Sequence, residues 1–191
     1  MTLNVHTTTD PRAALASLAA IFFGPGISEE PDLLAEKELP EPYKQLLAHD
    51  RHMTTSLEDY HGHPVLLEVL EERTDGDQYR RKILLTSGPG RHVVEVGVVR
   101  INLAYTSDDV RNEIVNKQAP LGDILIRYNV LREIEPKWYF RFKGPPALKG
   151  AFDRALPEPV FGRVGVIHCD GEPAIELLEV VASDKAVETS F

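Results

Sequence analysis

The chain has one cysteine, Cys169, so it can close no internal disulfide, and a lone thiol fits a reducing compartment. Positive charge is scarce: 21 Lys and Arg stand against 30 Asp and Glu, a formal net charge of −9. That balance excludes broad binding to nucleic acid or to an anionic membrane, which needs a basic face. It leaves room for one or two arginines in a cleft to hold a small anion. No apolar run approaches the roughly 20 residues that span a bilayer. The N-terminus has no basic n-region and no long h-region, so no signal peptide is expected and the cytoplasm is the expected location.

Several chemical signatures are missing too. There is no His-Glu-x-x-His, no paired Cys-x-x-Cys, no Walker loop and no Gly-x-Ser-x-Gly elbow. His61-Gly62-His63 offers two metal ligands without a third, which reads as a loop with surface histidines. Ser87-Gly88-Pro89-Gly90 lies between two strand patterns instead of opening a helix, so it reads as a hairpin turn and not as a phosphate cradle. Cys169 stands beside an Asp-Gly turn with no activating base, which makes it a strand residue before a nucleophile.

What the chain does have is 191 residues, 42% hydrophobic and 27% charged, enough for one domain with a substantial core. Asp10-Pro11 predicts a helix start, with Leu15, Leu18, Ala19 and Phe22 on one face and Gly24-Pro25-Gly26 as its end. A short helix over Asp32–Glu38 and a second from Glu41 to about Asp50, with Tyr43, Leu46 and Leu47 inward, complete an N-terminal helical part. The stretch from Asp50 to Glu58 reads as a loop and one more helical turn. From Pro64 the pattern is strands: Val65–Leu70, Tyr79–Leu85 and Val93–Leu103, joined by short Gly-containing turns that only antiparallel neighbours can use. Ser107-Asp108-Asp109 caps a helix to about Lys117. Pro120-Leu121-Gly122 opens another, with Ile124, Leu125 and Tyr128 on one side. Val130–Phe142 is a strand interrupted at Pro136, and Gly144–Pro159 is a proline-punctuated loop with a helical turn at Ala147–Arg154. A loose tail begins at Ser183. The order predicts an α+β fold with an antiparallel β-sheet.

The stretch Phe161–Val181 organises the rest. Two β-rich runs flank Asp170-Gly171, a strong hairpin signal because Gly accepts the positive φ of the turn. The second run carries Glu176 and Glu179 among aliphatic neighbours, and a buried carboxylate needs a partner or a purpose. A plain two-residue turn puts Glu176 on the face of Ile167 and Ala174, and Glu179 on the other. One extra residue, which Pro173 invites, swaps the faces. The sequence leaves both registers open.

Four stretches, in order, resemble the chorismate pyruvate-lyase family: Leu46–Glu58, with its leucine-rich helix end followed by Met53-Thr54-Thr55; Arg81-Lys82-Ile83-Leu84-Leu85; Ala119-Pro120-Leu121-Gly122; and Gly162-Arg163 through Asp170-Gly171-Glu172-Pro173 to Glu179-Val180. The resemblance spans residues 43–182 and leaves 1–42 as an N-terminal helical extension and 183–191 as a tail. It implies a chorismate lyase-like fold, an antiparallel sheet with helices over a buried ligand site, and elimination of pyruvate from chorismate to give 4-hydroxybenzoate, a reaction driven by aromatisation that requires neither a metal nor an organic cofactor. By the same resemblance, Arg81 binds the ring carboxylate and Glu179 meets the ring end that becomes the hydroxyl. Met53 helps hold the carboxylate through its backbone, and Leu121 lines the pocket. Reaching Glu179 from Gly171 takes one residue more than in the family, which requires a bulge or makes Glu176 the counterpart. The same fold also serves transcription regulators as a ligand-sensing domain, so a non-catalytic module for small aromatic or carboxylic acids is the alternative. An ion pair between Arg81 and Glu179 is the purely structural one. The expected partner is a small-molecule carboxylate, with no nucleic acid and no membrane.

Overall fold

The computed structural model describes residues 4–23, 31–117, 119–143 and 159–183. Seven strands form one antiparallel sheet: β1 (Asp32–Leu34), β2 (Val65–Asp75), β3 (Gln78–Ser87), β4 (His92–Asn102), β5 (Arg132–Phe142), β6 (Val160–Cys169) and β7 (Glu172–Val181). Their spatial order is β1-β5-β6-β7-β4-β3-β2. Two meanders, β2-β3-β4 and β5-β6-β7, meet where β4 pairs with β7 in the middle of the sheet. β4, β6 and β7 are therefore covered on both sides, and nearly every residue in them is buried. β3 alternates instead, with Tyr79, Arg81, Ile83 and Leu85 buried on one face.

Five α-helices cover the sheet. Helix α1 (Pro11–Ala19) starts where expected: Asp10 accepts from the N–H groups of Arg12 and Ala13, and Pro11 occupies the first turn. Its Ala14, Leu15, Leu18 and Ala19 pack with Val96, Val98, Val164, Val166, Leu178 and Val180 on one face of the sheet. It ends at Ala19, before the glycines read as its stop; those lie outside the described residues. The opposite face carries α2 (Tyr43–Leu47), α3 (Met53–His61), α4 (Asp108–Asn116) and α5 (Leu121–Arg127), which enclose the second core. In α2, Tyr43, Leu46 and Leu47 are buried as their spacing predicts.

Several expected elements change. Asp32–Glu38 is not a helix: Asp32–Leu34 pairs with Tyr139–Arg141 at the sheet edge, and only Glu36–Glu38 forms a 3-10 turn. Pairing at an open edge satisfies backbone groups that three helical residues could not satisfy internally. The single turn expected after Asp50 is the nine-residue α3, ended by Gly62 in the left-handed conformation (φ 71°). Tyr128 caps α5 and is 37% exposed, so it does not share the buried side of Ile124 and Leu125; its hydroxyl donates to Glu113. Ser183 is buried beside the Tyr60 hydroxyl at 2.9 Å, so the expected tail does not start there. Residues 184–191 and the helical turn expected at 147–154 lie outside the described residues.

The β6–β7 hairpin decides which way the two glutamates point. Cys169 pairs with Glu172 across Asp170-Gly171, and Ile167 pairs with Ile175, so His168 alone opposes Pro173 and Ala174. This bulge adds the extra residue and reverses the phase of the strand beyond it. Glu176 consequently faces α1. It accepts from Arg100 Nε at 2.6 Å, from the N–H of Val5 at 2.5 Å and from that of His6 at 3.3 Å. Arg100 Nη1 also donates to Ser17 of α1 at 3.2 Å. Glu176 thus ties the N-terminal segment to the sheet. Replacing it with leucine leaves Arg100 buried without its counter-charge, which costs roughly 3–5 kcal/mol. Glu176→Leu is expected to lower the urea midpoint accordingly, and adding Arg100→Met is expected to recover part of the loss.

Candidate functional site

The face opposite α1 holds a cavity between the sheet and the segments that begin α3 and α5. Its empty volume, including the open mouth, is about 530 Å³. Met53, Arg81, Leu121 and Glu179 all line it. Arg81 comes from β3, Glu179 from β7 beyond the bulge, Met53 from the first turn of α3 and Leu121 from the first turn of α5. The floor between them is apolar, with Ile83, Leu85, Val99, Ile167 and Leu177.

Arg81 is fully buried, and its Nε, Nη1 and Nη2 have no hydrogen-bond partner among the described residues. Burial pushes its pKa down. Tyr79, beside it on the same face of β3, opposes this first, and the charge of Glu72, its cross-strand neighbour, adds to it; the Tyr79 hydroxyl donates to Glu72 at 2.7 Å and Lys117 also binds Glu72. A guanidinium keeps its proton even so. Arg81 makes no ion pair with Glu179. The partner of Glu179 is Arg163, its cross-strand neighbour, whose Nε donates to Oε2 at 2.6 Å. Arg163 Nη1 donates to the carbonyls of Leu47 at 3.0 Å and His49 at 2.9 Å. This arginine joins the sheet to the chain segment between α2 and α3.

Three participants carry no role in the sequence reading. Arg163 was visible only as part of a motif. Its function follows from the bulge, which brings it opposite Glu179. Glu95 is a lone charge inside Val93-Val94-Glu95-Val96, the same kind of signal that drew attention to Glu176 and Glu179. It lines the cavity at 2% exposure. His52 reads as a loop residue, yet its Nε2 accepts from Arg132 Nε at 2.6 Å, and its ring lies against Gly122. A Cβ at Gly122 would come within 2.9 Å of that ring, so the glycine of Leu121-Gly122 permits α5 to close on His52.

Cys169 is buried, and burial pushes its thiol up to about 11, so no thiolate is available there at neutral pH. Ser87–Gly90 turns β3 into β4, with Ser87 paired to His92. Among the described residues no group of three His, Cys, Asp or Glu side chains is placed to hold a metal ion, and no helix is long and apolar enough to cross a membrane.

No protein-family model matches the sequence, and no curated protein sequence matches it. Of the solved structures that resemble it in shape, two are chains of transcriptional regulators. One is described as the ligand-binding domain of a GntR-family transcriptional regulator from Bordetella bronchiseptica, with TM-score 0.49 and 12% identity over 66% of this chain and 92% of that one. The other is a GntR-family transcriptional regulator from Bacillus cereus, with TM-score 0.43 and 11% identity over 66% of this chain and 98% of that one. At these values the resemblance carries no functional argument. The site has to speak for itself.

The histidines above the cavity give it a pH dependence. Burial first, and the Arg132 and Arg163 charges next, push His52 down from 6.5 to about 4. Burial and the Arg163 charge do the same to His49, against the pull of the Leu46 carbonyl. A histidine with a depressed native pKa takes its proton more readily once unfolded. Its contribution to stability is therefore complete above about pH 6.5 and is lost as pH falls toward about 4. Protonation also removes the lone pair by which His52 accepts from Arg132. The melting temperature is expected to fall across that window, and His52→Gln is expected to flatten part of the decline in a melting series against pH.

Proposed function

We propose that the protein binds a small, compact carboxylic acid, aromatic acids included, in the buried cavity, with Arg81 as the anchor for the carboxylate. One observation carries this reading: a fully buried guanidinium lines the cavity, and none of its three nitrogens has a hydrogen-bond partner among the described residues. An uncompensated buried charge costs several kcal/mol, and proteins keep one where a ligand supplies its counter-charge. A planar carboxylate matches the guanidinium fork with two parallel hydrogen bonds. The apolar floor suits a ring or a short aliphatic body. Met53 and Leu121, at the opposite wall, supply contact to that body, and Glu179 faces its far end. The motif resemblance to chorismate pyruvate-lyases supports the reading, since it implies Arg81 and the Met53 backbone for a ring carboxylate, Leu121 for the wall and Glu179 for the far end of the ring.

A second reading, elimination of pyruvate from chorismate, is favoured by the pair of carboxyl groups, Glu95 and Glu179, in one cavity. The reaction breaks the ring–oxygen bond to the enolpyruvyl group and removes a ring proton, and the departing enolpyruvate takes up a proton to become pyruvate. Nothing is oxidised or reduced overall. Carboxyl groups in unlike environments are what such proton movement uses near neutral pH. In this reading Glu179→Gln sharply lowers turnover in a protein that still folds.

Titration with 4-hydroxybenzoate, alongside incubation with chorismate and detection of pyruvate, tests both. Arg81→Lys keeps the charge but loses the fork. Loss of a charge-assisted hydrogen bond costs about 1.5–3 kcal/mol, so affinity is expected to drop about tenfold to a hundredfold with the fold retained. Binding without pyruvate release supports the binding module alone. A wild-type protein that binds no carboxylic acid, with Arg81→Lys altering only thermal stability, rejects both readings.

A further inference from the structure

Glu95 is a second anomaly in the cavity and of the opposite sign to Arg81. Its side chain is buried, and Oε2 has no hydrogen-bond partner among the described residues. Oε1 leans along the strand over Gly97, 3.0 Å from where a Cβ would stand, so the missing side chain at Gly97 is what lets the carboxyl lie over the cavity floor. Gly97 pairs with Ile83 on one side and Glu179 on the other. Arg81 pairs with Val99, four residues along β4 from Glu95. At roughly 3.4 Å per residue, Arg81 and Glu95 root at opposite ends of the floor, about 13 Å apart along the strand.

The charged groups around Glu95 are all accounted for without it. From β7 comes Glu179 and from β6 Arg163, and these two pair with each other while Arg163 Nη1 donates to the Leu47 and His49 carbonyls. From β3 comes Arg81, at the far end. From the segment before α3 come Arg51, which binds Asp59, and His52, which accepts from Arg132 and is therefore uncharged. His49 sits behind Arg163. Among the described residues no cation makes a hydrogen bond or ion pair with Glu95 Oε2. Burial, followed by the nearby Glu179 charge, pushes its carboxyl well above the usual range, with Arg163 opposing. A protonated carboxyl is a donor as well as an acceptor.

We propose that Glu95 acts as an uncharged hydrogen-bond donor at the end of the cavity away from Arg81, so that the site selects monocarboxylates carrying an oxygen acceptor at their far end and rejects dicarboxylates. The inference rests on the reading of the cavity as a carboxylic-acid site. With Arg163 and Glu179 cancelling, Arg51 bound to Asp59 and Glu95 neutral, the charge left for a ligand is that of Arg81, which one carboxylate balances. A second carboxylate would meet Glu179 and an acid with no cation to spare. This counts against chorismate, a dianion, and for a monoanion such as a hydroxybenzoate.

Calorimetric titration of wild type, Glu95→Gln and Glu95→Leu with 4-hydroxybenzoate, 4-methylbenzoate and terephthalate tests it. In wild type, 4-hydroxybenzoate is expected to bind about tenfold more tightly than 4-methylbenzoate, the worth of one hydrogen bond. Terephthalate is expected to bind at least as weakly as 4-methylbenzoate. Glu95→Gln keeps a neutral donor and is expected to preserve the preference within a few-fold; Glu95→Leu is expected to abolish it while leaving 4-methylbenzoate affinity intact. Affinity of wild type for 4-hydroxybenzoate is expected to fall at alkaline pH more than that of Glu95→Gln, because only wild type gains a negative charge there. If the acids bind in an Arg81-dependent way but the preference survives in Glu95→Leu, or terephthalate binds as well as 4-hydroxybenzoate, the role of Glu95 is rejected and the acid site stands. If none of the three acids binds wild type, the acid site itself fails and the role of Glu95 fails with it.

Discussion

The architecture of the site depends on one extra residue in β7. The bulge opposite His168 sets the phase of everything that follows it, and two glutamates three positions apart necessarily fall on opposite faces of a strand. With that phase, Glu179 meets Arg163 on the cavity side and Glu176 meets Arg100 on the α1 side. With the other phase, each glutamate would be driven into the apolar layer that now holds Leu178 and Val180, or Ile175 and Leu177. Pro173 has no N–H to give the ladder, so placing it at the irregularity costs the sheet no hydrogen bond.

Two kinds of buried charge coexist here and do different things. Arg100–Glu176 and Arg163–Glu179 are closed: each guanidinium is bound to a carboxylate, and each pair also ties a chain segment to the sheet, the N-terminal residues in one case and the stretch after α2 in the other. Closed pairs of this sort fix geometry more than they add stability. Arg81 and Glu95 are open, and both sit in the cavity wall. The contrast lies within one sheet, and residue type alone does not reveal it.

Much of this was legible in the sequence. The antiparallel strands, the Asp-Gly hairpin and the inward triplet Tyr43, Leu46 and Leu47 follow from local pattern and turn chemistry. β1 was not legible, because three residues at a sheet edge owe their extended form to β5 and not to their own preferences. Nor was the length of α3, where Thr54, Thr55 and Ser56 are weak helix formers and burial of Met53, Thr54, Ser56 and Leu57 holds the helix against the core. In the site, Arg81, Met53, Leu121 and Glu179 were singled out by resemblance, while Arg163 needed the register and His52 needed the distant Arg132 to acquire a meaning. Contacts between residues more than a hundred positions apart, as between Arg163 and Leu47, leave no local trace.

The double grip of Arg163 on the Leu47 and His49 carbonyls makes one guanidinium a shared strut. It holds Glu179 in the floor of the cavity and, through the same planar group, the chain that leads to Arg51, His52 and Met53 in the opposite wall. That wall is also held by Arg132 on the His52 ring, by Arg51 on Asp59 and by the His52 carbonyl, which accepts from the N–H of Ser56. Floor and wall therefore cannot be altered independently: a change at Arg163 displaces both sides of the cavity at once.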